Sequence, residues 1–452
     1  MVREELGRLT RLALPMMLTQ LSQMGMGVAD TMMAGRVSAA DLAGIALGGN
    51  LFWPLLMFIS GIVMSITPSV SQLHGAGRER DAGEVVRQAL WIALVGGGLL
   101  VVLLQNAEPF YHAIGVDPLA IPISVAYLQA LSWGVLPVLG FFALRYMCEG
   151  MSWTLPAMAI ALSALLIKIP LNYLFIYGGF GVPAMGGVGC GWSSAIVMTY
   201  EVVIMAVVVA YSRMRISGLF MRFSLPDVKE IWRLTKLGIP IGASTFLEFS
   251  MFSVMTLLIG RLGVDSVAAH MIASNIGGLT FMIPLALGMA GCIRVGYNVG
   301  TGDLDAARRS GRVVIGVSAI FGVVAAVAVF FGREFVAGLY TNDASVYLLA
   351  SELLLFVAFY QLFDDTQVTA IGALRGYKDT NTPMWVAAFA YWGVGFPVGI
   401  TLGFGLFGAP VLGVSGFWWG LFVGLAVAAV VLLSRFRWLS HQTERVLQLS
   451  RH

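Results

Sequence analysis

Apolar runs of roughly 20 residues, the length a helix needs to cross a bilayer, recur along all 452 residues, and no long hydrophilic segment interrupts them. In hydrocarbon the backbone must satisfy its own N–H and C=O groups, which makes such runs helices. They read as twelve spans, near residues 12–34, 47–70, 88–106, 122–144, 157–178, 190–211, 238–260, 274–297, 313–332, 346–372, 383–404 and 412–434. With 58% hydrophobic and 11% charged residues, the chain is an all-α integral membrane protein.

The net charge of +3 matters less than its placement. Arg3, Arg8 and Arg11 precede span 1, and Arg78, Arg80 and Arg87 follow span 2. Arg213, Arg215, Arg222, Lys229, Arg233 and Lys236 fill the centre, Arg308, Arg309 and Arg312 follow span 8, Arg375 and Lys378 follow span 10, and Arg435, Arg437, Arg445 and Arg451 close the chain. All of these lie on one side of a twelve-span chain, and the opposite loops hold Arg36, Arg261 and Arg333. The positive-inside rule therefore places both termini in the cytoplasm. The basic start lacks a signal-peptidase site and its apolar run contains Asp30, so it reads as an uncleaved first span.

At an offset of 225, "LALPMMLTQLSQMGMGVADTMMAGR" lies over "LGIPIGASTFLEFSMFSVMTLLIGR": Pro15 meets Pro240, Gln23 meets Glu248, and Gly35-Arg36 meets Gly260-Arg261. Slightly larger offsets carry Pro156 onto Pro383 (227) and Gly187-Val188 onto Gly413-Val414 (226). The chain is a six-span unit duplicated, and an even number of spans gives both copies one orientation. The expected organisation is an N-terminal six-helix lobe (1–212), a cytoplasmic linker (213–237), a C-terminal six-helix lobe (238–434) and a basic cytoplasmic tail (435–452). Parallel repeats of this kind occur in secondary transporters whose sites sit near the midplane and whose halves rock.

Ionisable residues inside spans are costly and mark functional candidates. In span 10, Tyr360, Asp364 and Gln367 share one helical face, while Gln361, Asp365 and Thr369 share the next. In span 7, Glu248 stands among Phe246, Phe249, Met251 and Phe252, surroundings suited to a flat cation held by charge and cation–π contact. In span 1, Thr19, Gln23, Met26 and Asp30 run down one face below Pro15, expected to disturb the helix. Asp365 reads either as a second ligand or as the edge of the cavity, and Lys168, Glu201 and Arg294 read equally as structural partners. Buried carboxylates can take a proton, a sodium ion or a cationic substrate in competition, which is the chemistry of antiport.

Other chemistries find no motif. Cys148, Cys190 and Cys292 share no metal or redox spacing, and His74, His112, His270, His441 and His452 are scattered. No Walker A sequence is present. "GFGLFG" follows a span rather than a strand, and "DDTQV" fails as a diphosphate-binding DDxxD at Val368. An intramembrane enzyme would need an acid cluster or nucleophile motif, so the chain reads as a non-enzyme.

The segments "QMGMGVADTMMAGR", "PLNYLFIYG", "FLEFSMF" and "FYQLFDDTQVTAIGALRGYKDTNTP", in this order within duplicated halves, resemble the multidrug and toxic compound extrusion (MATE) family in its bacterial NorM-like branch. The resemblance implies efflux of hydrophobic, often cationic drugs and dyes across the bacterial inner membrane by alternating access. It implies that inward H+ or Na+ drives the export, with no cofactor and no nucleic-acid partner, in a monomer within the lipid bilayer. It carries Glu248, Asp364 and Tyr360 over as the C-lobe coupling and binding residues, Asp30 and Asn172 as their N-lobe counterparts, and Pro15 as a bending point. Ile176 stands where some relatives carry a further aspartate, which argues against a proton mechanism centred wholly on the N-terminal half. The alternative within the same superfamily, a flippase for lipid-linked glycans, calls for cavity arginines, for which Arg294 and Lys168 are the candidates.

Overall fold

The computed structural model describes residues 2–113, 120–341 and 343–451; His452 lies outside them. The described residues are almost wholly helical, with a single isolated bridge between Gly179 and Val182. In chain order the helices are α1 (Val2–Gly35), α2 (Ala39–Val63), α3 (Ile66–Gly75), α4 (Glu79–Gln105), α5 (Glu108–Ala113), α6 (Ile121–Ser132), α7 (Val135–Gly150), α8 (Leu155–Tyr177) and α9 (Gly187–Tyr211). The second half holds α10 (Val228–Ile259), α11 (Val264–Gly300), α12 (Leu304–Tyr340), α13 (Ala344–Gly376), α14 (Asn381–Ala387), a π-helical turn (Ala388–Gly395), α15 (Phe396–Phe404), α16 (Val414–Leu439) and α17 (Thr443–Arg451).

Ten stretches among the described residues are long and apolar enough to cross a membrane, and α6 with α7, bent by 47°, makes an eleventh. The twelfth is α1, whose 34 residues begin with a charged first turn. Helix α10 already begins at Val228, ahead of the apolar run that marks its span.

Two compact units divide the chain. One comprises residues 14–242, the other residues 1–13 and 243–452. The first three turns of α1 therefore pack with the C-terminal helices, and the first half of α10 packs with the N-terminal ones. Each crossover has a local cause. In the C-terminal unit, Glu5 forms a bidentate pair with Arg294 at 2.8 Å to each nitrogen and accepts a bond from Ser310 at 2.7 Å. Burial pushes the Glu5 carboxyl up, but the bonds from Arg294 and Ser310 and the Arg294 charge outweigh it and hold its pKa below the usual carboxylate range. In the N-terminal unit, Gly238 and Gly242 lie against the backbone of α2 at Ile62 and Phe58, an approach that a side chain at either position would prevent.

The C-terminal unit is organised around α13, flanked by α11, α12 and α16. Asp343 caps its start, accepting from Ser345 N–H at 2.9 Å and Val346 N–H at 3.1 Å. Two turns past the acids, Gly372 sits on the Gly288 carbonyl of α11, which brings the two helices into backbone contact. The N-terminal unit packs α9 against α6, α7 and α8.

Candidate functional site

The structure builds a separate polar centre in each unit. In the N-terminal unit, Asp30 on α1 meets Lys168 on α8, with Nζ to Oδ1 at 3.1 Å and the side chains 14% and 2% exposed. Asn172, one turn further along α8, donates to the same Oδ1 at 2.7 Å. Lys168 also donates to Ser193 at 3.1 Å and to Ser194 on α9, and Ser193 donates to the Asn172 side-chain carbonyl. The aspartate that the sequence marks as a coupling residue thus has a resident cation, and that cation is fixed by hydroxyls. Gln23 lies half-buried two turns before Asp30 and outside this cluster. Helix α1 runs unbroken through Pro15, whose carbonyl accepts a bond from Thr19 at 2.9 Å.

Deeper in the same unit Arg145 donates to Glu149 at 2.6 Å and lies 3.4 Å from Gln20. Glu201 feels the charges of both Arg145 and Lys168, and one oxygen of Glu149 and one of Glu201 are buried without a hydrogen-bond partner.

The C-terminal centre is different in kind. Asp364 and Asp365 are adjacent on α13 and buried, but a helix sends adjacent side chains to different faces. Asp364 accepts from Gln367 at 3.3 Å, and Gln367 also donates to the Tyr391 hydroxyl at 2.6 Å. Glu248 on α10 feels the charges of Asp364 and of Arg375. Among the described residues neither Glu248 nor Asp364 forms an ion pair with a basic side chain. Asp365 faces α11 and α12 instead. It accepts from Gln361 at 2.7 Å, Gln361 accepts from Thr280 at 2.9 Å, and its second oxygen is buried without a hydrogen bond beside Gly322. Tyr360, one turn before Asp364, stacks on Trp418 with ring centroids 5.9 Å apart, and His270 meets the same indole edge-on at 5.7 Å.

Tyr391 and Trp392 escape the sequence reading. Both lie in the π-helical turn, where the N–H of Phe396 reaches back five residues to the Tyr391 carbonyl. Pro397 is the available signal, because a proline lacks the N–H that would continue the normal ladder. The widened turn sets Tyr391 against Gln367 and lets the Trp392 N–H reach the Leu247 carbonyl, next to Glu248, at 3.1 Å.

Arg294 is held by Glu5, and Lys168 by Asp30. Both basic candidates for a diphosphate site are therefore engaged by carboxylates.

Comparison with known proteins agrees with this architecture. The MatE family profile matches twice, over residues 15–174 and 240–401, so that the second match begins 225 residues after the first. The chain is 40% identical over 447 residues to the multidrug resistance protein MdtK of Yersinia pseudotuberculosis serotype O:1b (strain IP 31758), covering 98% of each protein. The MdtK of Yersinia enterocolitica serotype O:8 / biotype 1B (strain NCTC 13174 / 8081) matches at the same identity and coverage. Among solved structures, the eukaryotic MATE transporter AtDTX14 superimposes with a TM-score of 0.90 at 20% identity over 100% of this chain and 99% of that one. An outward-facing multidrug resistance MATE family transporter of the MOP superfamily gives 0.87 at 18% identity, covering 96% of each chain.

Proposed function

The chain belongs to the MatE family, and from that premise we propose that it is a bacterial inner-membrane multidrug efflux transporter that exchanges hydrophobic or cationic drugs for inward-moving H+ or Na+. The exchange is seated in the C-terminal lobe at Glu248 and Asp364. Both termini face the cytoplasm, and the two six-helix lobes alternate access to the site.

One observation supports this reading above the others. The Asp30 carboxylate is already neutralised by Lys168, whereas Glu248 feels the charges of Asp364 and Arg375, and among the described residues neither Glu248 nor Asp364 forms an ion pair. Two carboxylates against one nearby guanidinium leave a net negative charge in a medium where an unbalanced charge costs several kcal/mol, of order 2.5 or more per group. A proton, a sodium ion or a drug cation supplies the missing charge, and they compete for it. Tyr360, Tyr391 and Trp392 offer ring faces and polar tips beside those acids, as adaptable recognition of flat cations requires. Asp30, bonded by Asn172 and paired with the Lys168 ammonium, forms a charge-balanced centre rather than a vacant cation site, and the exchange does not depend on it. Asp365 braces α13 against α11 and α12.

The test is ethidium transport by the purified protein in proteoliposomes, energised separately by a pH gradient and by a sodium gradient, beside Glu248→Gln and Asp364→Asn. Acceleration by one gradient, lost in both variants, names the ion and supports the assignment. Unchanged coupling in the variants places the exchange elsewhere, and indifference of correctly inserted protein to both gradients ends the antiport reading for this substrate.

A further inference from the structure

The segment between α9 and α10 is too apolar at its surface for water. Around Arg222 it exposes Phe220, Met221, Phe223 and Leu225, with Phe223 79% exposed. Exposed apolar side chains interleaved with basic ones mark a strand of chain that lies in the interfacial layer of a membrane.

This segment closes one side of a cavity of about 530 Å³ whose other wall is α4, through Arg87, Leu90, Trp91 and Leu94. The polar end is built rather than incidental. Arg87 is 8% exposed and donates to the Gly218 and Leu219 carbonyls at 2.9 Å each, to Ser224 at 2.9 Å and to Glu84 at 2.6 Å. The indole N–H of Trp91 donates to the Ser224 carbonyl at 3.1 Å. Arg222 is different: its side chain is 69% exposed, and it uses one of its five donors, on Glu84 at 3.3 Å. Two guanidiniums against one carboxylate leave one net positive charge at the cavity mouth. The apolar end continues along α4 through exposed Leu94, Leu99 and Val102, a surface chemically suited to an acyl chain.

We propose that this cavity, between α4 and the 219–224 segment, binds the headgroup of an anionic phospholipid, with the phosphate on Arg222 and one acyl chain along α4. In the orientation proposed above this is the cytoplasmic leaflet, whose anionic lipids are drawn to basic groups at the boundary. The site is built wholly from residues of the N-terminal unit, and its test does not depend on transport.

Trp91 provides the readout. The purified protein is reconstituted with brominated phosphatidylglycerol or brominated phosphatidylcholine, and the fluorescence lost on quenching is assigned to Trp91 by difference from Trp91→Phe. One basic residue near the surface corresponds to roughly a fivefold preference for the anionic lipid. The expected result is Trp91 quenching about fivefold more effective with phosphatidylglycerol, falling to near parity in Arg222→Ala and restored by Arg222→Lys. Equal quenching by the two lipids in the wild type, or a preference that survives in Arg222→Ala, overturns the proposal.

Discussion

Replacing Lys168 by methionine removes the ammonium that meets Asp30 at 3.1 Å and leaves a carboxylate that is 14% exposed. Breaking a buried pair from one side costs about 3–5 kcal/mol, because the surviving charge is uncompensated. Asp30 has one escape, which is to bind a proton. An aspartate of ordinary pKa, about 3.9, can be protonated at pH 7 for roughly 1.36 kcal/mol per pH unit over about 3.1 units, or about 4 kcal/mol, which caps the loss. The variant's folded state then holds one proton more than its unfolded state. Its deficit therefore shrinks by about 1.4 kcal/mol for each pH unit of acidification and widens towards neutrality. For a lobe of this size, about 3–4 kcal/mol lowers the melting temperature by roughly 6–16 °C.

Thermal denaturation in detergent between pH 5 and 8 measures this for Lys168→Met, Asp30→Asn and the double variant. Removing both charges recovers most of the loss, since neither partner is left alone. If the exchange resides on Glu248 and Asp364 as proposed, the double variant also retains ion-driven efflux. A loss in Lys168→Met below about 1 kcal/mol at pH 7, or one that does not change with pH, refutes the claim that the ammonium neutralises Asp30. Loss of coupling in the double variant, with folding intact, refutes the C-lobe assignment.

Three further outcomes follow from the geometry. Gly372→Ala drives a Cβ into the Gly288 carbonyl, a backbone obstacle that no rotamer relieves; it should cost at least about 1–3 kcal/mol in a thermal melt, and an unchanged melting temperature would mean the α11–α13 approach is looser than it looks. Glu5 has a lowered folded pKa, so the stability it contributes is fully present above its unfolded value of about 4.3 and is lost as pH falls through its folded value. The advantage of the wild type over Glu5→Gln should be constant at neutral pH and disappear below that window; an advantage that grows on acidification contradicts the sign. Gln361→Leu strips a buried carboxylate, Asp365, of its 2.7 Å donor and should cost about 1.5–3 kcal/mol while leaving ethidium coupling intact, which separates a bracing acid from an exchanging one.

Much of this was legible before any coordinates. Asp364 and Gln367 share a face because they are three residues apart on a helix, and the offset between Pro15 and Pro240 gives the duplication directly. Local spacing carries such facts. It does not carry the partner of Asp30, since Asn172 lies 142 residues away and Lys168 one turn before it. The sequence leaves Lys168 equally structural and functional, because its role depends on which acid the packing of α1 against α8 brings to it. The separation of Asp365 from Asp364 is visible as two faces of α13, but which face lies towards Glu248 is decided by α10 and the π-helical turn. The crossover of the first turns of α1 and α10 was hidden for a similar reason: Glu5 and Arg294 are distant charges in sequence that become a bidentate pair in space.

The duplication makes the remaining difference between the lobes informative. At the offset of 225 the position of Asp30 is taken by Met255, and at the larger offsets of 226 and 227 the position of Lys168 falls on Val394 or Gly395, both uncharged and at the end of the π-helical turn. The C-terminal lobe has lost both members of the resident pair and carries Glu248 where the N-terminal lobe has the uncharged Gln23. A tethered ammonium balances its aspartate in every conformation, so such a centre places no demand on the ions outside. An acid without a tethered partner must find a cation in each conformation the lobes adopt, because leaving it bare in the membrane costs several kcal/mol, of order 2.5 or more. In the proposed exchange, a proton or sodium ion takes the place of a drug cation before that cation leaves Glu248 and Asp364 towards the outside. That requirement couples the two movements without needing high affinity for either, and it rests on the absence from the C-terminal lobe of what Lys168 provides in the other.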